Sequence, residues 1–478
     1  MMNHQTVSQG TLYLTIANII FLISGYIIHI GIGRLLGPDS YGVYALIISI
    51  ATIFNLFLVI GIPQAVAKFS AEDHTRAREV LRSGLILSFL MSAIMSVGLL
   101  LLAPTFADLL HDNSLIPYIQ LISILIITSG PLVIIGGYYN GIQDYRTQSL
   151  LNILYYILKP AFSFVFVFGG LALWGAVLGF VLSPIIPFIL GLFVIGYFPI
   201  ISARNFPFKK ILAFSMPIMI LSAIVNLILT LDLFFIKSIL VDNQIAGYYS
   251  AASQIARIPY VIVWGVSFAI FPAVAACLLN LEKIRDYISE SLRYTLLLII
   301  PFTVILAVTA TPLISLIYSP KYAPGGLPLE ILFFGMGFFG LFFMLVMIIS
   351  SCNRPYLAMS LSFLVLVIDF CANWLLVPIM GMSGGALATT IASASGAALS
   401  WLYLYNKYGA VVPGMSLLKI FISTSIVALF MKFFDFQGFF LIVGYLIAAL
   451  GYFVFLFLLN EIKPLDIDRF TRLFGGVS

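Results

Sequence analysis

Charge is scarce in this sequence. Only 9% of its 478 residues are Asp, Glu, Lys or Arg, while 62% are hydrophobic; a soluble domain carries about 25% charged residues. That deficit excludes a soluble protein, because too few polar groups remain to cover an apolar core. Cysteine is also rare. Cys277, Cys352 and Cys371 lie in or beside apolar runs, at spacings that fit neither a zinc site nor a disulfide framework. The four histidines are scattered, so no metal site is expected. There is no G-x-x-x-x-G-K-[ST] loop to cradle ATP phosphates and no H-E-x-x-H zinc helix. GMSGG (381–385) matches G-x-S-x-G in letters, but it falls in a turn between two apolar runs, whereas a nucleophile elbow needs a strand before its serine. The lone Asp466-Ile-Asp468 sits apart from other acidic groups in the C-terminal segment. Nothing points to catalysis or to a cofactor. The pI of 8.9 reflects loop Lys and Arg rather than nucleic-acid binding.

What the sequence has is long apolar runs. Each can cross a ~30 Å hydrocarbon layer, which takes about 20 helical residues. The first ten residues show no basic n-region or small-residue cleavage site, so the first run is expected to be a retained helix. The runs suggest an all-α polytopic membrane protein with about fourteen spans, near 11–33, 43–66, 84–107, 116–137, 150–169, 171–196, 211–236, 259–278, 294–317, 327–350, 356–378, 382–405, 417–433 and 438–460. With both termini cytoplasmic, the outer side holds only Arg34, Lys237, Arg257, Lys321 and Lys432. All other Lys and Arg except Lys159 then fall on the inner side, as the positive-inside rule requires.

Residues 1–196 and 211–405 read as two copies of one unit, offset by about 203 to 210 positions. GRLLGPDSYGVYAL (33–46) matches IKSILVDNQIAGYYSA (236–251): a basic residue, Asp five later, then Gly-x-Tyr. Arg34 thus corresponds to Lys237, Asp39 to Asp242 and Tyr44 to Tyr249. Further matches fall around Pro104 and Pro312, between GIQDYR (141–146) and SCNRPY (351–356), and around Gly175 and Gly385. Charged, helix-compatible segments at 68–83 and 279–293 follow the second span of each copy and suggest interfacial helices. An even number of spans per copy gives a parallel repeat, an arrangement suited to alternating access. The expected organisation is a six-helix lobe at 1–200, a second at 201–408, and two further helices with a short tail at 409–478.

GRLLGPDSYGVYAL, IGIPQAVAKFSAE (60–72), LDLFFIKSILVDNQIAGYYSAA (231–252) and GMSGGALATTIA (381–392) carry a family resemblance over nearly the whole chain. The sequence resembles the polysaccharide-transporter branch of the multidrug/oligosaccharidyl-lipid/polysaccharide exporter superfamily and looks like its Wzx-type oligosaccharide flippases. The resemblance implies two six-helix lobes around a central cavity. It also implies movement of a polyprenyl-(pyro)phosphate-linked oligosaccharide from the cytoplasmic to the outer leaflet of the cell membrane. The expected partners are that substrate, membrane lipids and a coupling ion, H+ or Na+. A monomer is expected, associating at most with polysaccharide assembly enzymes. Alternatives are a cation-coupled multidrug exporter or a peptidoglycan-precursor flippase. A polytopic polymerase or ligase should carry a large external catalytic loop, and the sequence has none.

Polar groups inside spans are the candidate site. A charge at the centre of a membrane helix costs ~2.5–3.5 kcal/mol or more and so faces a bundle interior or wet cavity. Lys159 in LYYILKPAFSFVF and Asp369 lie 210 positions apart, at equivalent places in the two copies. Lys159 is read as a cavity cation for substrate phosphate, against a structural pair or a snorkelling side chain. Asp369 is read as its alternating partner, as a ligand for a coupling cation, or as a group bonded within its own lobe. Asp232 is either half of a local pair with Lys237 or a coupling carboxylate. Asn226 and Asn373 suit helix–helix hydrogen bonds or cavity lining, and Asn373 shares a helical face with Asp369. Arg34 and Lys237 suit interface anchoring or a basic outer rim.

Overall fold

A computed structural model describes residues 7–196, 204–276 and 281–461. Cys277 and the basic residues Lys463, Arg469 and Arg472 lie outside them. Among the described residues there is no strand, as a segment in hydrocarbon must satisfy its backbone polar groups internally. The order is α1 (Val7–Leu56), α2 (Ile62–Glu72), α3 (Ala77–Leu109), α4 (Ile116–Gly141), α5 (Tyr145–Phe166), α6 (Ala172–Leu182), α7 (Ile185–Ile195), α8 (Phe208–Ile228), α9 (Leu231–Leu240), α10 (Asn243–Ala256), α11 (Ile258–Ala276), α12 (Leu281–Val308), α13 (Ala310–Ile317), α14 (Gly326–Ser351), α15 (Pro355–Met380), α16 (Met382–Tyr408), α17 (Gly414–Phe434) and α18 (Phe440–Leu458).

Eleven helical stretches among the described residues are long and apolar enough to cross a membrane. Two of them, at 48 and 51 residues, rise about 70 Å or more at 1.5 Å per residue, which is the length of two crossings. With α11 at 19 residues, the architecture is consistent with fourteen crossings. In α1 the break falls at Gly37 (φ 78, ψ 175), before Pro38. Proline supplies no N–H to continue the ladder, and a positive φ is where glycine carries no Cβ penalty.

The structure differs from the expected spans in places that polar chemistry explains. The segment 68–83 is not a separate interfacial helix. It is the end of α2, a single turn and the start of α3. Asp73 forces the turn by accepting hydrogen bonds from the Thr75 N–H (3.0 Å) and hydroxyl (2.6 Å); the hydroxyl bond holds its carboxyl below the ordinary range. In the second charged segment, the described residues 281–293 are the opening turns of α12. The seventh span breaks at Thr230 into α8 and α9, and the connection expected after it holds a further helix, α10. The sixth span is two helices, α6 and α7, interrupted before Pro184.

The chain divides into two compact units, Met1–Ser250 and Ala251–Ser478. In the first, α3 packs on α4, α1 and α6 pack on α5, and α8 packs on α2. Serine and threonine tie these helices together, as is common where packing in lipid gains little hydrophobic drive. The Ser96 hydroxyl donates to the Ser123 carbonyl (2.8 Å), Ser163 to the Ala176 carbonyl (3.1 Å) and Ser129 to Asn55 Oδ1 (2.9 Å). In the second unit α16 packs on α14 and α15, and α17 packs on α12 and α18. Buried Glu461, just after α18, pairs with Arg293 of α12 (2.8 Å) and Lys419 of α17 (3.6 Å).

Candidate functional site

Lys159 lies in α5, with Pro160 inside the same helix. Its side chain is half-buried, and Nζ sits 4.0 Å from the centroid of the Phe180 ring of α6. Among the described residues it makes no ion pair. The quadrupole of a ring face attracts a cation by ~2 kcal/mol or more once water is excluded. That offsets much, though not all, of the ~2.5–3.5 kcal/mol cost of a mid-span ammonium. The arrangement holds a cation in place without neutralising it.

The helices around Lys159 run side by side in the same direction: Gly10 lies against Tyr145, Ser24 against Tyr156 and Gly31 against Phe164. Interpolating places Lys159 level with Tyr26 and Ile27. An open apolar groove of about 490 Å³ spans that depth, lined by Leu22, Ile23, Tyr26, Ile27, Ile30 and Gly31 of α1 and Phe164 of α5.

A second polar group assembles at the end of α1's first arm. Asp232, 1% exposed in the first turn of α9, accepts hydrogen bonds from the Tyr249 hydroxyl and the Leu233 N–H (2.8 Å). Lys237, 2% exposed, pairs with Asp112 (3.0 Å) and donates to Asn243 Oδ1. Lys237 therefore takes Asp112 rather than Asp232, and the local Asp232–Lys237 pair is replaced by two separate contacts. Burial alone would raise the Asp112 pKa, but hydrogen bonds from Ser114, Lys237 and Asn243 outweigh it and hold the carboxyl below its ordinary value.

Arg34 and Lys237, equivalent in sequence, have different surroundings. Arg34 is exposed, three residues before the break at Gly37. Lys237 is buried and neutralised, so in this structure it is not a rim cation. Asn226 is half-buried in the last turn of α8, and its carbonyl accepts the Thr230 hydroxyl (2.8 Å).

The two Gly-x-Tyr motifs meet. A Cβ built on Gly247 would lie 1.9 Å from the Pro38 carbonyl oxygen, and one on Gly42 would lie 2.0 Å from the Asn243 carbonyl oxygen. The backbones of α1 and α10 are thus in direct contact, possible only because both residues lack a side chain. Tyr44 and Tyr249, two residues on, are fully buried. Sequence reasoning paired these motifs as equivalents but did not foresee their contact, nor the roles of Asp112 and Asn243. The signal for Gly42 and Gly247 was available in the shared Gly-x-Tyr pattern. For Asp112 there was none, because an Asp-x-Ser turn is common.

In the second unit, Asp369 and Asn373 are fully buried on one face of α15. Asn373 Nδ2 donates to the Asp369 carbonyl (2.9 Å) and to its Oδ1 (3.2 Å). Asn373 Oδ1 has no hydrogen-bond partner among the described residues. Their i, i+4 spacing thus brings a carboxylate and an amide oxygen into one dry place. His29 meets Tyr41 through Nδ1 (3.1 Å) and stacks edge-on with Tyr44, which fits a structural role.

Comparison with known proteins agrees with this architecture. Residues 32–325 match the family model described as polysaccharide biosynthesis protein. An uncharacterized membrane protein of Methanocaldococcus jannaschii is 24% identical over 412 residues, which is 81% of this chain and 95% of that protein. Stage V sporulation protein B of Bacillus subtilis is 24% identical over 168 residues, covering 33% of this chain and 32% of that protein. Among solved structures, the lipid II flippase MurJ in an inward closed conformation superposes with a TM-score of 0.74 at 18% identity, covering 95% of this chain and all of that one. An inward-facing multidrug resistance MATE family transporter superposes at 0.70 and 16% identity, over 84% of this chain and 98% of that one. With a family model spanning more than half its length, this chain belongs to the polysaccharide biosynthesis protein family.

Proposed function

We propose that this membrane transporter flips a polyprenyl-(pyro)phosphate-linked oligosaccharide from the cytoplasmic to the outer leaflet of the cell membrane. The movement is alternating access between two six-helix lobes, residues 1–200 and 201–408, with both termini cytoplasmic and the last two spans outside the repeat. The protein acts as a monomer and catalyses no bond change.

The observation that carries this reading is Lys159. A half-buried ammonium over an aromatic ring, with no carboxylate against it among the described residues, suits a phosphate that arrives and leaves. An ammonium binds phosphate oxygens as a point charge, without demanding one fixed geometry. The apolar groove that spans the same depth suits the isoprenoid chain of such a lipid. An amphiphile with a phosphate at the junction of tail and sugar matches a cation next to an apolar groove better than a compact drug does. Lys159 and Asp369, at equivalent positions of the two copies, then exchange the substrate's charge for each other's during the cycle.

A coupling cation, H+ or Na+, is the second part of the reading, favoured by the buried Asp369 carboxylate beside the unbonded Asn373 Oδ1. Asp232, Asn226 and Arg34 complete the polar set that the moving substrate passes. In proteoliposomes the experiment is flipping of a fluorescent polyprenyl-pyrophosphate oligosaccharide by wild type, Lys159→Ala and Lys159→Arg. Loss with Ala and partial retention with Arg support the reading, and full activity of the Ala variant removes Lys159 from the site.

A further inference from the structure

We propose that Asp112, Lys237 and the Gly42–Gly247 crossing form a charge-latched closure at the end of α1's first arm, which opens and re-forms in each transport cycle. The inference rests on the transport reading above for its purpose, but not for its geometry.

The pieces come from distant parts of the sequence. Asp112 belongs to the connection between α3 and α4, Gly42 to the second arm of α1, and Lys237 and Gly247 to α9 and α10. The helices α9 and α10 form one bent piece: Val241 turns the chain in the left-handed region (φ 52). Asp242 then caps α10 by accepting the N–H groups of Gln244 (2.7 Å) and Ile245 (3.0 Å). The contacts that tie that piece to its neighbours include the Lys237–Asp112 pair on α9 and the approach of Gly247 to the backbone of α1 on α10.

At the crossing itself the two glycines place no side chain between the backbones, and the buried Tyr44 and Tyr249 flank it two residues on. The surfaces match only at full contact, where a Cβ on either side would overlap a backbone oxygen by more than 1 Å. The adjacent ion pair adds charge attraction to that contact. Asp112 uses Oδ1 to build its own turn, accepting the Ser114 N–H (3.0 Å) and hydroxyl (2.6 Å), and offers Oδ2 to Lys237. The carboxylate is thus preset whether or not the cation is present. Asp112 keeps 13% of its side chain exposed while Lys237 keeps 2%, so water already reaches one member and can follow the other as the pair parts. A permanent seam between membrane helices has no need of a charge pair at a wet edge. A seam that opens onto water gains hydration of both ions to offset the lost pair.

The test uses Ser250→Cys, one turn beyond Gly247 and buried, in a protein whose native cysteines are replaced. The rate of labelling by a membrane-impermeant maleimide reports opening of this end and needs no substrate. Asp112→Asn and Lys237→Met should each raise that rate at least about tenfold, the change expected when the closed state loses ~1.4 kcal/mol. The charge-reversed pair, Asp112→Lys with Lys237→Asp, should bring it back toward the starting value. Unchanged labelling in both single variants overturns the latch. As a second measurement, Asp112→Cys with Lys237→Cys is bridged by a short bis-thiol reagent. Transport blocked by the bridge and restored by reductant supports the proposal, and transport at an unchanged rate with the bridge in place overturns it. If labelling responds while no lipid-linked sugar is carried, the latch stands and the substrate reading fails.

Discussion

Gly247→Ala probes the closest backbone approach made by a glycine among the described residues. The new Cβ would lie 1.9 Å from the Pro38 carbonyl oxygen and 2.8 Å from its carbon, whereas real Cβ contacts begin near 3.0 Å. Both neighbours are backbone, so no side chain can swing aside, and α1 and α10 must separate by more than 1 Å. That separation also loosens the packing around fully buried Tyr44 and Tyr249. Overpacking of a close-packed core by one methyl group costs roughly 1–3 kcal/mol, and a backbone clash belongs at the upper end. Thermal unfolding of the purified protein in detergent measures the loss. The control is Gly98→Ala in α3, where a Cβ meets nothing within 4 Å; it should leave stability unchanged or slightly improve it, since alanine is favoured over glycine in a helix by about 1 kcal/mol. Equal melting temperatures for Gly247→Ala and Gly98→Ala would refute the close-approach argument.

Three further outcomes follow from the ion pairs. Asp112→Asn should destabilise by about 3–5 kcal/mol, because it strands a buried ammonium, while adding Lys237→Met should recover much of the loss; a double variant no more stable than Asp112→Asn would contradict the pairing. Because the Asp112 pKa is depressed in the folded protein, its contribution is present above the unfolded carboxyl pKa of about 3.9 and is lost as pH falls through the lower folded value. Ser250→Cys labelling, divided at each pH by the rate for a free thiol so that the falling thiolate fraction cancels, should therefore stay flat from pH 8 to 5 and rise only in stronger acid. Glu461→Gln should loosen α17 and α18 from α12, where Arg293 and Lys419 converge on it; more rapid proteolysis after α18 is the readout, and an unchanged cleavage pattern would remove Glu461 as a fastener.

Hydropathy made the class of fold legible, because a backbone in hydrocarbon has few options. The positions of the breaks were less legible. Apolar runs do not record where a helix turns, and the turns here are set by single polar side chains such as Asp73, or by glycine followed by proline at Gly37. The buried positions of Asp369 and Asn373 could be read from their i, i+4 spacing in an apolar run. Lys237 could not, since its depth depends on Asp112, 125 positions away, and no local pattern connects the two. The internal repeat revealed which residues are equivalent, but equivalence did not mean equal surroundings: Arg34 is exposed and Lys237 is buried. The symmetry that aligns the two Gly-x-Tyr motifs also left no hint that they touch.

The most direct test of the account is the dependence of flipping on the charge at residue 159. Proteoliposomes carrying wild type, Lys159→Arg, Lys159→Met or Lys159→Ala, matched for protein inserted, are given a fluorescent polyprenyl-pyrophosphate oligosaccharide, and its movement between leaflets is timed. The account predicts near-complete loss with Met and Ala, partial activity with Arg, and a melting temperature for Met no lower than that of wild type, since the Phe180 ring returns less than the ammonium costs within the span. Wild-type flipping by the Met variant, which keeps the length of the side chain without its charge, would contradict it.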